Sequence, residues 1–243
     1  MELSTLDLPK KQQKATQVFV TELSRLLRDN LFSIVVYGSA VRGGFNAQTS
    51  DINLLIVLEF STPEAHGVIA DVIAQCDIGI EPFILARTGM ERSFRAFAPK
   101  FDSLKRHYAV VHGADPLASY KTDPTLAAFL VEQALRNLRL RAVQAYVHYR
   151  HDAGQYHLYL GRTVPVIFTD LSEVLRLQDI EVPNQFADRV PILASEYGVT
   201  ESGLSNLLAI ADQPNAISSK EIVDIHRFLF TLLDTAVTRV SAL

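Results

Sequence analysis

The chain has 243 residues, of which 48% are hydrophobic and 21% charged, and it carries a net charge of -4 at pH 7. That length supports one large domain or two modest ones, each with its own core. The negative balance argues against a protein that coats nucleic acid electrostatically, and no apolar stretch approaches the roughly 20 residues needed to span a bilayer. The opening MELSTLDLPKKQQK is polar and mixed in charge, so no secretory leader is expected. The single cysteine, Cys76, sits in an apolar helical pattern and reads as a buried thiol in a reducing compartment, which predicts a cytoplasmic protein.

From about Leu8 to Asp29 the apolar positions Val18, Phe19, Leu23, Leu26 and Leu27 recur at helical spacing. The run Leu31 to Tyr37, rich in β-branched and aromatic residues and stopped by Gly38, predicts a buried strand. A second such run spans Ile52 to Leu58. Thr62 and Pro63 then open a helix to about Cys76, with the threonine as N-cap. A third strand is predicted over Ile78 to Ala86, irregular-to-helical structure over Met90 to Arg106, and a fourth strand over Tyr108 to Val111. Six basic side chains fall between Arg87 and Arg106 against only Glu91 and Asp102, a pattern that fits a solvated surface.

Beyond Asp123 the strand signals vanish. Helices are predicted from Asp123-Pro124 to Tyr149 (with Leu130, Ala134, Leu138, Ala142 and Ala145 on one face), near Gln155 to Leu177, near Asn184 to Tyr197, and near Lys220 to Val240. Pro183, Pro191 and Pro214 fall at or near segment ends, and Pro165 predicts a kink or late start in the second of these helices. The change of pattern divides the chain into residues 1–118 and a helical bundle over 119–243.

The segment that carries chemistry is VVYGSAVRGGFNAQTSDINLLIVL. A buried strand ends in Gly38-Ser39, and eleven residues then lead to Asp51-Ile52-Asn53 at the head of the next strand. A Gly-Ser turn entering a helix leaves backbone N–H groups and a hydroxyl free to cradle phosphate oxygens. Side chains two apart on a strand share a face, so Asp51 and Asn53 reach the same space and could hold Mg²⁺ against a triphosphate.

These residues resemble the hG[GS]-x9–13-Dh[DE]h signature of the DNA polymerase β-like nucleotidyltransferases. They are most similar to the small bacterial minimal nucleotidyltransferases, whose GSxxRG…SDIDL is matched by GSAVRG…SDINL through Gly38, Ser39, Arg42, Gly43, Ser50 and Asp51. The resemblance implies an α/β domain with a short mixed sheet, followed by a helical domain completing the cleft. It also implies a third acid on a neighbouring strand; Glu81 within IGIEPFIL occupies that place, much as in antibiotic adenylyltransferases. The later YAVVHGADPL is similar to the strand and turn that close such domains.

On this resemblance the expected substrates are a nucleoside triphosphate with Mg²⁺ and a hydroxyl acceptor, either a small molecule or a protein. Gly38, Ser39 and Arg42 would contact the nucleotide; Asp51, Asn53 and Glu81 would hold metal; Asp51 and Glu81 would serve catalysis. One departure stands out. The family's second acid, which bridges two metal ions, is Asn53 here, so weakened metal binding and slow or absent transfer are expected. The alternative reading is a catalytically inactive nucleotide-binding or partner-binding protein of the same fold, antitoxin-like. No membrane or strong nucleic-acid partner is indicated, and a homodimer is left open.

Two features of the helical half belong beside this. Arg136, Arg139, Val143 and Arg150 lie along one helix side and suit either a solvated face or triphosphate contact. Arg141 and His148 are weakly similar to the Arg-x4–6-His pair of the HEPN ribonucleases that partner minimal nucleotidyltransferases.

Overall fold

The two long β-branched runs form the centre of a four-stranded sheet: β1 is Leu31–Tyr37 and β2 is Ile52–Leu58. With β3 (Ile80–Ala86) and β4 (Tyr108–Gly113) they are arranged in the order β3-β2-β1-β4. β1 runs antiparallel to both β2 and β4, while β2 and β3 are parallel. The structure is a computed structural model and describes residues 6, 8–43, 45, 47, 50–212 and 217–243. It falls into two units, Met1–Thr122 and Asp123–Leu243.

Strand alternation gives the sheet two apolar faces. Even-numbered residues such as Ile34, Val36, Leu54 and Ile56 pack with Phe19 and Leu23 of α1 (Lys10–Leu27) and Ile69 of α3 (Pro63–Ala74). Thr62 caps α3 by accepting from the Ala65 N–H. Odd-numbered residues such as Val35, Leu55 and Val57 pack instead with Phe94 of α4 (Met90–Ala96), Phe101 and Leu104 of α5 (Ala98–Arg106), and Tyr120. Phe101 is fully buried, and its ring meets Phe94 edge-on at 4.8 Å. A buried ring of this size contributes about 2–3 kcal/mol, so α5 is held firmly across this face. A four-residue α2 (Ser39–Arg42) follows β1.

In the second unit α6 (Pro124–Tyr149) packs on α7 (Ala153–Leu177) and α10 (Ser219–Val240), and α7 packs on α9 (Glu201–Asp212) and α8 (Phe186–Tyr197). Asp123 and Asp152 cap α6 and α7, and Ser218 with Glu221 forms a capping box at α10.

Several expectations are corrected. The buried face of α6 begins at Ala127, Val131 and Leu135, not at Leu130 and Ala134, because steps of four and three must alternate to follow a 3.6-residue period. α7 runs unbroken through Pro165. The missing hydrogen bond, about 3 kcal/mol, is outweighed by burial along Tyr156, Leu160, Val164, Ile167 and Phe168. Pro191 likewise lies inside α8, and Pro214 lies outside the described residues. α9 was not expected at all. Cys76 lies beyond the end of α3 and is half-buried, its thiol pushed up by burial and by Asp77.

Candidate functional site

At one end of the sheet, on the odd-numbered face, register brings four side chains into a row. Tyr37 pairs with Asn53, Asn53 with Glu81, and Tyr37 on its other side with Tyr108. Directly paired residues project to the same face, so Asn53 lies between Tyr37 and Glu81. One step outward, Ile52 donates its N–H to the Gly79 carbonyl at 2.9 Å, which sets Asp51 opposite Gly79. A Cβ at Gly79 would overlap the Asp51 carboxylate. The carboxylate of Asp51 therefore lies over Gly79, two residues from Glu81 along the same face.

Gly38 turns the chain from β1 into α2 with φ +79, a conformation that favours glycine. A Cβ here would stand 3.2 Å from the Asn53 side-chain nitrogen. The turn and the asparagine are thus in close approach. Ser39 heads α2 and is half-buried. Arg42 ends α2, also half-buried, and burial draws its guanidinium below the usual arginine range. The structure thus brings together Gly38, Asp51, Asn53 and Glu81, with Ser39 and Arg42 on the adjoining helical turn.

Asp51 and Glu81 are both exposed, and Asn53 is half-buried. A carboxylate at the centre of an apolar strand is costly to bury, but Glu81 is the second residue of β3, open to solvent, and needs no buried partner. Among the described residues no group of three His, Cys, Asp or Glu side chains gathers as a metal site. The donors here are two carboxylates and one amide oxygen. That all-oxygen set suits a single hard divalent cation whose remaining positions are filled by water and phosphate, and it lacks the anion that would bridge two.

Three participants escaped the sequence reading: Gly79, Tyr37 and Lys100. α5 carries Lys100 over the same sheet face, its ammonium 4.3 Å from the Phe83 ring centroid and 5.9 Å from that of Tyr37. Phe83 is two residues from Glu81 and Tyr37 is in its register row, so Lys100 stands over the neighbourhood of the carboxylate. Burial lowers the Lys100 pKa, and the charge of Glu81 opposes that shift. Tyr37 is pushed up to about 12 by burial, reinforced by Glu81. A glycine just before a strand signals close approach of a neighbour and could have drawn attention to Gly79. Lys100 carried no such signal within its basic stretch.

The arginine stripe of α6 is engaged within the helical unit. Arg136 pairs with Glu132 at 2.6 Å, Arg139 with Asp234 at 2.9 Å, and Arg150 lies over the Tyr146 ring. Among the described residues no helix is long and apolar enough to cross a membrane.

No family model matches the chain, and no curated protein matches it by sequence. Among solved structures it is similar to spectinomycin adenyltransferase AAD(9) from Enterococcus faecialis, determined with ATP and spectinomycin. The two are 12% identical, the match covers 94% of this chain and 98% of that one, and the TM-score is 0.59. The chain thus shares the fold of that adenyltransferase, a small mixed sheet followed by a mostly helical region.

Proposed function

We propose that this protein is a nucleotidyltransferase that moves a nucleoside monophosphate from a nucleoside triphosphate to a hydroxyl acceptor, a small molecule or a protein, in the cytoplasm. The observation that carries the reading is the convergence of Asp51, Asn53 and Glu81 beside the Gly38-Ser39 turn. It occurs in a chain with the fold of an enzyme whose structure holds ATP and spectinomycin.

In this reading the backbone at Gly38 and the Ser39 hydroxyl hold the β- and γ-phosphates, with Arg42 adding positive charge at the loop. Asp51, Asn53 and Glu81 hold Mg²⁺, which when bound offsets the charge of the triphosphate and favours attack at its α-phosphorus. The acceptor oxygen forms a bond to that phosphorus, the bond to the β-phosphate oxygen breaks, and pyrophosphate leaves. Glu81, exposed at the end of the row, accepts the hydroxyl proton. Lys100 supplies a fixed positive charge over the same face, where it offsets part of the negative charge that gathers during transfer. The residues before about 118 form the nucleotidyltransferase domain and those after it a helical domain.

Asn53 favours a second reading, a nucleotide-binding or antitoxin-like partner-binding protein that has lost transfer. Calorimetric titration of the full chain with ATP, CTP, GTP and UTP, with and without Mg²⁺, together with pyrophosphate release, separates the two. The transferase reading expects Mg²⁺-dependent binding of at least one nucleotide, and Asp51→Ala to lower turnover by on the order of 100-fold. Binding without turnover leaves the second reading standing, and equal behaviour of wild type and Asp51→Ala removes the site from the account.

A further inference from the structure

Between α6 and α7 of the helical unit lies a cavity of about 450 Å³. α6 contributes Arg141, Gln144 and His148 to its wall, and α7 contributes Gln155, Tyr159 and Arg162. Among the described residues no carboxylate lines it. Most other arginines of this unit have acid or carbonyl partners, and Arg150 lies over the Tyr146 ring. Arg139 has Asp234, Arg176 has Glu173, Arg227 has Asp224 and Arg239 has Glu196. Arg189 donates to the carbonyls of Pro183 and Asn184. Arg141 and Arg162 have no hydrogen bond or ion pair among the described residues, and both face one cavity.

Its third feature is a buried donor. The Tyr159 hydroxyl is shielded from solvent and makes no hydrogen bond; Thr163, one turn on, lies near it but outside hydrogen-bonding geometry. The charge of Arg141 reaches this same hydroxyl. Buried polar atoms ordinarily find partners, and the two arginines present positive charge to a wall that holds no carboxylate. An anion in the cavity answers both conditions at once.

We propose that this cavity binds a phosphate-bearing small molecule. Two guanidinium forks reaching from facing helices match the tetrahedral oxygens of a phosphate better than a single carboxylate would need. The Tyr159 hydroxyl donates to the same group, and His148 provides a further ring nitrogen. Gln144 and Gln155 then face the organic part of the ligand, and the volume lies within the range of small-molecule sites. The site is separate in its residues from Asp51, Asn53 and Glu81 and does not depend on the transferase reading.

Inorganic pyrophosphate is the probe, titrated by calorimetry into the full chain in EDTA. Without a metal ion, Asp51 and Glu81 repel an anion, so the strand-end site contributes little. Saturable binding is expected in wild type and is retained in Asp51→Ala. It should weaken about 10- to 100-fold in Arg141→Gln/Arg162→Gln, with Arg141→Lys intermediate. Both arginines are exposed and unmatched, and an unchanged unfolding midpoint shows that the variants are folded. Three results would overturn the proposal: no saturable binding in wild type, equal affinity in the double variant, or loss of binding in Asp51→Ala instead.

Discussion

The sheet end of the N-terminal unit and the helical unit handle charge in opposite ways. In the helical unit several arginines are tied to groups far away in sequence: Arg139 to Asp234, and Arg239 to Glu196 and Gln178 at 2.7 Å each. At the sheet end, Asp51 and Glu81 stay exposed, and neither forms an ion pair among the described residues. Lys100 acts on Glu81 through space, with no direct bond between them. Matched charges hold a packing arrangement in place, whereas unmatched exposed carboxylates on one rigid face are available to something outside the chain. The first arrangement should govern stability, and the second ligand binding.

The largest expected effect tests the first half of that contrast. Arg189 is 2% exposed; it donates to the Pro183 carbonyl and the Asn184 carbonyl at 2.8 Å each and to the Ser172 hydroxyl at 3.2 Å, with its guanidinium over Phe186. Arg189→Ala strands those acceptors and opens a cavity, so it should destabilise the protein by about 3–5 kcal/mol. Denaturant unfolding measures it. Asp51→Ala, at an exposed position, should stay within about 0.5 kcal/mol of wild type in the same experiment. If Asp51→Ala costs as much as Arg189→Ala, the division between stabilising and ligand-directed charge does not hold.

The next effect sharpens the other half. Asn53 lies between Tyr37 and Glu81 in register and close to Gly38. Asn53→Asp adds a carboxylate to a row that already includes Glu81, beside Asp51. It should strengthen Mg²⁺-nucleotide binding by about 1–4 kcal/mol, the interaction of unit charges near 4 Å between the dielectric limits of water and a protein surface. Without metal the added repulsion should lower stability slightly, and Mg²⁺ should restore it by linkage. Nucleotide affinity and unfolding midpoint across a Mg²⁺ series test both. An unchanged Mg²⁺ dependence would show that position 53 does not face the metal.

How much of this was legible before folding depended on whether the cause was local. β1 and β2 lie where their β-branched runs and the Gly38 break put them, and the alternating strand pattern put Asp51 and Asn53 on one face. α9 was hidden because Ser202, Gly203, Ser205 and Asn206 interrupt its apolar pattern. Gly203 is there for a tertiary reason: any Cβ would run into the Phe228 ring on α10. Pro165 and Pro191 read as punctuation because their local cost is visible in sequence, while the packing that outweighs it is not. Lys100 belongs to the same class. Its place near Glu81 follows from Phe101 and Leu104 seating α5 on the sheet, and spacing along the chain carries no trace of that.

The smallest expected effect probes an exception inside the helical unit. Asp170 on α7 has no hydrogen bond or ion pair among the described residues. Burial, reinforced by the charge of Glu173, pushes its carboxyl up to about 7. A folded-state value above the unfolded one means that the native state holds the extra proton between about pH 4 and pH 7. Asp170 therefore contributes stability below that window, and the contribution is lost as pH rises through it. The full shift corresponds to roughly 4 kcal/mol. Asp170 is only partly buried, and screening by solvent brings the expected value to about 1–2 kcal/mol. Asp170→Asn removes the titration, so it should exceed wild type in stability at pH 8 by that amount and converge with it near pH 4. Unfolding free energies measured for both proteins from pH 4 to pH 8 give the difference directly, free of the other titrating groups. A difference that does not change with pH would mean that Asp170 titrates in the ordinary carboxylate range, and the helical unit would then contain no unmatched acid at a cost to its stability.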